Sequence, residues 1–148
     1  MNDSQTARDI KPPHMLALLL VMLGGMIGSG LRYGFSSAFP RVGGEFPWIT
    51  LAENVSGAFL LGFAFIVLAS AMPVRTNLYL FFCTGILGSF TTFSNMSLEI
   101  VSLVREDLTG LALLYGGCSI SLGLLAVFLG MLLARSCRLA PQNYKEDS

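Results

Sequence analysis

Charge is scarce in this chain: only 12% of its 148 residues are Asp, Glu, Lys or Arg, against 53% hydrophobic. A soluble domain carries about 25% charged residues, because it must cover itself with polar groups. The few charges here sit in short clusters between long apolar runs, which excludes an ordinary soluble domain. Acidic and basic residues balance to a net charge of zero. With no basic patch, glycine-rich phosphate loop or RNA-binding aromatic motif, nucleic acid is not an expected partner. Histidine is limited to His14 in the N-terminal tail, and no acid stands at metal-ligand or acid/base spacing. An enzyme is therefore not expected. Cysteine is limited to Cys83, Cys118 and Cys137, an odd number without ligand spacing. They read as small apolar residues, not as a disulfide framework.

The length allows a single domain. Residues 1–14 read as a polar tail and residues 135–148 as another. The membrane domain between them, 15–134, divides into four apolar spans at about 15–36, 48–71, 77–104 and 109–134. Each exceeds the ~20 residues that cross a ~30 Å hydrocarbon core as a helix. Lipid offers backbone groups no partners, so helices are the economical solution. The first run follows Arg8 and Lys11, as a secretory leader would. It is too long for a leader core and lacks a small-residue cleavage site, so it is read as a retained span. Trp48 and Tyr79, near span ends, suit an interfacial belt.

Glycine is abundant, with 16 residues concentrated in the spans. Gly24 and Gly28 form one GxxxG, and Gly30 and Gly34 another. Ser119, Gly123, Ala126 and Gly130 share one face of the fourth span. Such stripes let helix backbones approach closely in lipid, and they predict tight packing and self-association.

A polar residue inside a span is costly and marks a functional candidate. Arg32 ends the first span, either as a snorkelling interfacial arginine or as an anion-attracting cation at a pore mouth. In the second span Thr50 and Asn54 share a face; Asn54 can bond between helices or offer donors to a pathway. Glu53 lies on another face, about one turn from the membrane edge, and reads as an interfacial acid. The third span holds Gly85, Gly88, Ser89, Thr91, Thr92, Ser94, Asn95, Ser97 and Glu99. So many glycines, hydroxyls and amides make a weak helix. The stretch is either a broken helix at midmembrane or a hydroxyl-rich packing face. A break at this depth is tolerated only inside protein or beside a water-filled cavity. It exposes carbonyls, which suit hard cations, and amide N–H groups, which suit anions. Tyr115 and Ser119, four apart in the fourth span, extend a possible polar track.

These residues carry a resemblance. Gly88-Ser89-Phe90-Thr91-Thr92-Phe93-Ser94 followed by Glu99 resembles the helix-three signature GGFTTFSTF-plus-Glu of the Fluc (CrcB) family of small fluoride channels. Thr50-Leu51 with Asn54 and Gly57 resembles its TLxxNxxG segment, and Gly24-Gly25 with Gly28, Leu31, Arg32 and Tyr33 its opening motif. The resemblance covers roughly residues 20–130. It implies an all-α membrane protein of four transmembrane helices, the third broken at midmembrane, assembled as an antiparallel dimer with two pores. It implies passive fluoride export and a structural sodium ion held by the backbone carbonyls of Gly88 and Thr91. The pathway residues it implies are Asn54, Phe93, Ser94, Thr50, Tyr115 and Ser119, with Met96 where a second pore phenylalanine is usual. Arg32 and Glu99 become vestibule or supporting residues, and the location a bacterial inner membrane.

Two other readings fit four spans less well. A proton-coupled multidrug exporter needs a carboxylate embedded in the first span, which instead carries Arg32. A non-transporting structural subunit would explain the glycine stripes but not the polar stretch in the third span. Orientation is weakly specified. Arg8, Lys11, Arg75, Arg135, Arg138 and Lys145 fall on one side, Arg41 and Arg105 on the other. Discounting the distant Arg8 and Lys145 leaves a mild positive-inside bias. This predicts a homodimer inserted both ways, in preference to a subunit requiring an oppositely oriented paralogue.

Overall fold

The computed structural model describes residues 14–68 and 77–139. Residues 1–13 of the expected tail 1–14, residues 140–148 of the expected tail 135–148, Arg75 and the expected end of the second span lie outside them. Every regular element among the described residues is helical: α1 (His14–Ala38), α2 (Trp48–Leu68), α3 (Leu80–Leu87), α4 (Gly88–Phe90), α5 (Phe93–Arg105) and α6 (Thr109–Leu139). Three stretches, Met15–Ala38, Trp48–Leu68 and Thr109–Cys137, are long and apolar enough to cross a membrane. The protein is a multi-pass integral membrane protein. The last helix continues through Leu139, past the expected boundary at residue 134, because its apolar composition gives way to Arg135, Ser136 and Cys137 without a helix breaker.

Helix α3 is wound as a π-helix, and the N–H of Gly88 at its end reaches back to carbonyls of Cys83, Gly85 and Ile86. Residues 77–79 before it are also helical. The loosened winding lies where α1 presses closest. A Cβ added at Gly24 would collide with the Phe81 carbonyl oxygen, and one at Gly28 with that of Ile86. Gly85 returns the contact, with an added Cβ 2.8 Å from the Gly24 Cα. Backbone lies directly on backbone, a spacing only glycine permits. A second crossing joins α2 to α6: a Cβ at Gly62 would run into the Val127 carbonyl oxygen, and one at Gly130 into that of Phe59. Lipid tails are as apolar as leucine, so close van der Waals fit replaces hydrophobic burial as the force between helices.

The glycine stripes are therefore largely consumed within one copy. Gly24, Gly28 and Gly130 pack internally, while Gly30, Gly34 and Gly123 meet nothing within 4 Å. Ser119 and Ala126 are buried. Only part of the expected self-association surface is still open.

Between the helix pairs lies an apolar cluster of Leu51, Met96, Leu103, Ala112 and Tyr115, covered by Phe46, Val55 and Ile100. At one end the α1–α2 loop is tied to the α5–α6 turn. Gly44 donates its N–H to Glu106 Oε2 at 2.7 Å, and Arg41 approaches the same oxygen at 3.5 Å. Gly44 has φ +79°, a left-handed conformation glycine adopts without a steric cost.

Candidate functional site

The helical path between α4 and α5 is interrupted at two residues. Thr91 has φ −72°, ψ 151°, and Thr92 φ −147°, ψ 119°. Both threonines are β-branched and at home in extended backbone. The interruption is held from both sides. The Thr92 hydroxyl accepts from the Asn95 N–H at 3.1 Å and so caps α5, satisfying one of the donors every helix start leaves open. Across the helices, Asn54 brackets the same residue: its Oδ1 accepts the Thr92 N–H at 2.7 Å and its Nδ2 donates to the Thr92 carbonyl at 3.0 Å. In a continuous helix that N–H would bond the carbonyl of Gly88, four residues earlier. Because it bonds Asn54, the Gly88 carbonyl is left available. The Thr91 N–H and hydroxyl both donate to the Leu87 carbonyl, each at 3.1 Å. Gly57 makes room for the bend, since an added Cβ would strike the Thr91 methyl.

On one side of the interruption is an open pocket of about 520 Å³, lined among others by Ser29, Arg32, Gly88, Thr91, Thr92 and Ser94. Phe93 forms part of its wall with 76% of its surface exposed. The start of the 13-residue α5 opens here, and helix N-termini attract anions through free N–H groups and the macrodipole. Guanidinium, hydroxyls and helix start make this face a set of donors suited to an anion.

On the other side is a closed polar cluster. Glu99 accepts from Thr50 at 2.7 Å and from Tyr115 at 2.6 Å, one bond to each carboxylate oxygen. Tyr115 is fully buried, and Thr50 and Ser119 are buried with it. The Ser119 hydroxyl has no hydrogen-bond partner.

The sequence-predicted residues thus fall into two groups. Arg32, Gly88, Thr91, Phe93 and Ser94 surround the pocket. Thr50, Glu99, Tyr115 and Ser119 form the internal cluster, next to Met96, which is buried in the apolar core. Asn54 and Thr92 join them. Glu53 corrects the sequence reading: it is no interfacial acid, being 3% exposed, and neither carboxylate oxygen has a hydrogen-bond partner. The available signal was its spacing, one turn before Gly57, on the side of α2 that meets the interruption. No cluster of three or more His, Cys, Asp or Glu side chains gathers for a metal among the described residues.

Fold and site define a small polytopic membrane protein that is built around a hydrogen-bonded helix interruption. The family profile described as "CrcB-like protein, Camphor Resistance (CrcB)" matches residues 19–131. The chain belongs to that family, and it is not an enzyme. It is 42% identical over 123 residues to a fluoride-specific ion channel FluC of Chelativorans sp. (strain BNC1), covering 82% of this chain and 98% of the relative. It is 41% identical over 123 residues to the protein of the same name from Agrobacterium fabrum, again over 82% and 98%. A FluC of Thermus thermophilus is 45% identical over 114 residues, covering 76% of this chain and 88% of the relative.

Proposed function

We propose that this protein is a fluoride-selective channel that lets fluoride leave a bacterial cell passively across the inner membrane. The observation that carries the reading is the Asn54–Thr92 bracket, which holds a helix interruption open beside a pocket of donors. Fluoride is small and strongly hydrated, so a pathway must replace its water shell. The Asn54 amide, the hydroxyls of Thr50, Ser94 and Ser119, and the positive ring edge of Phe93 supply such contacts. Tyr115 and Glu99 hold the hydroxyl track in place. The exporter alternative requires an embedded acid, and α1 contains none.

In this reading α3, α4 and α5 together make the third crossing, broken at midmembrane. Two copies assemble antiparallel, with their interruptions facing each other. Pocket-lining Ser29, Arg32, Ser89 and Ser94 would be costly against lipid, and a second copy covers them. The same face would contain the exposed Phe93, as a pore ring, and bring Met96 close to the path from behind. A sodium ion fits the donor chemistry: the freed Gly88 carbonyl and that of Thr91 are hard oxygen ligands. Sodium would supply a fixed positive charge that lowers the cost of an anion in low dielectric. Each chain inserts in both orientations, as its mild charge bias suits.

Fluoride efflux from liposomes containing the purified protein, followed with a fluoride electrode, tests the reading. Rapid fluoride efflux with little chloride efflux is expected; efflux no faster than from protein-free liposomes overturns it. C-terminal reporters found on only one side of the membrane would remove dual insertion and favour a paralogue partner. Activity insensitive to complete replacement of sodium, in protein purified without it, would count against the ion.

A further inference from the structure

The starts of α2 and α6 and the end of α5 meet at one end of the molecule, where the α1–α2 loop is tied down. Thr50, Glu99 and Tyr115 lie within about two turns of those helix ends. Water nevertheless does not reach the cluster from there: Tyr115 is 0% exposed and Thr50 5%. The seal is an apolar layer in which Phe46 packs against Leu103 and Ala112. Leu103 and Ala112 sit on helices, but Phe46 is delivered by the loop of residues 39–47. Its ring meets that of Tyr115 edge-on, with centroids 5.4 Å apart, and lies 4.5 Å from that of Trp48. The attachment that keeps it there is two residues back, where the Gly44 N–H bonds Glu106 Oε2. Arg41 approaches the same oxygen at 3.5 Å, yet its Nε and Nη2 have no hydrogen-bond partner. With 37% of the Glu106 side chain exposed, the loop hangs on one good bond at a wet edge, which is where local opening costs least.

We propose that Phe46 is a plug over the loop-side end of the hydroxyl cluster, and that Glu106, through Gly44, is the latch that holds it closed. The inference rests on the fluoride-channel reading. Glu99 is partly exposed, so the cluster can be entered from its side. The hydroxyls of Thr50, Tyr115 and Ser119 then lead toward Phe46. An apolar constriction gates an ion path by excluding water. While the ring is seated, an anion among the hydroxyls has no water to leave into on that side. When the latch opens and the ring withdraws, water reaches Tyr115 and the anion recovers its hydration shell. Glu106 touches no anion; it is a positioning residue that acts through the loop.

The test combines fluoride efflux from liposomes with the fluorescence of Trp48, the single tryptophan of the chain. Glu106→Ala should raise the efflux rate about tenfold, because a bond to a charged group biases an open–closed equilibrium by at least that factor. Phe46→Ala should raise it about tenfold or more, since no plug is left to seat. Glu106→Gln keeps an oxygen for the Gly44 N–H and loses only an exposed ion pair, so it should stay within about twofold of wild type. The double variant Phe46→Ala/Glu106→Ala should match Phe46→Ala to within about twofold, because a latch without a plug holds nothing. Acrylamide quenching of Trp48 should increase in Glu106→Ala, as Phe46 leaves its ring, and not in Glu106→Gln. Removing a ring that only fills the core lowers melting point and efflux together; a rise in efflux marks a plug. Unchanged or lower efflux in folded Phe46→Ala or Glu106→Ala overturns the proposal, as do additive gains in the double variant or a Glu106→Gln that behaves like Glu106→Ala. Should Phe46→Ala fail to fold, Glu106→Ala leaves the core intact and decides alone. Wild-type quenching in Glu106→Ala overturns the latch whether or not the protein carries fluoride. A wild type that carries no fluoride sinks the channel reading and this gate with it. A conducting wild type whose efflux neither substitution moves sinks this inference alone.

Discussion

The glycine crossings and the polar seam hold the same helices together by opposite means. At Gly24, Gly28, Gly62 and Gly130 there is no hydrogen-bonding side chain, and backbone rests on backbone. At Asn54 with Thr92, and at Glu99 with Tyr115, the contact is instead made by hydrogen bonds of 2.6–3.0 Å. Shape alone suffices to pack helices in lipid. The polar seam adds directed bonds to that packing, and two of them hold Thr92 at the interruption.

The largest effect should come from the crossing. Gly62→Leu drives a side chain into the Val127 carbonyl. Overpacking costs about 1–3 kcal/mol where side chains can yield; here backbone must move, so little folded protein should survive detergent extraction. Size-exclusion chromatography and melting curves check this. Next is Asn54→Ala, which strips partners from both the N–H and the carbonyl of Thr92. At ~1–3 kcal/mol for each orphaned group, stability should fall by roughly 2–6 kcal/mol. Fluoride efflux should drop at least about tenfold, the change that about 1.4 kcal/mol produces. Phe93→Ile should cut efflux while leaving the melting point nearly unchanged, because the ring is exposed in one copy. Met96→Phe should stay functional. A seam that only packs helices would instead show both loss variants with normal efflux.

Smaller again is Tyr115→Phe. It removes the donor to Glu99 Oε2, a bond to a charged group worth ~1.5–3 kcal/mol, and should lower the melting point without dissolving the fold. The smallest effect is expected at Gly30→Ala. Nothing lies within 4 Å of that position, so alanine should stabilise α1 by about 0.5–1 kcal/mol. Loss of dimer in a crosslinking assay would place the backbone of a second copy against it.

Much of this architecture was legible in the chain itself. Apolar runs located α1, α2 and α6, and Gly88, Thr91 and Thr92 announced a weak helix where extended backbone is found. Asn54 was marked by being an amide in an apolar run. Its bidentate hold on Thr92 was not legible, since it joins residues 38 apart. Glycine spacing gave the stripes but not their partners: GxxxG says that something comes close, not whether it is α3 or a second chain. Glu53 was misread because distance from the span end was taken as depth. Burial there depends on which neighbouring helices cover that part of α2, which no periodicity encodes. The π winding of α3, which lies where Gly24 and Gly28 press, was likewise not legible.

The pairing of α1 with α3 and of α2 with α6 skips neighbours in the chain. During synthesis each helix leaves the ribosome before its partner exists. The described part of helix α2 ends at Leu68, yet its mate begins only at Thr109. Through all the intervening translation the bare groove around Gly62 faces lipid or the insertion machinery. A chain stalled or truncated after α5 would carry that groove unfilled, a visible mark by which membrane proteases could distinguish unfinished copies from finished ones.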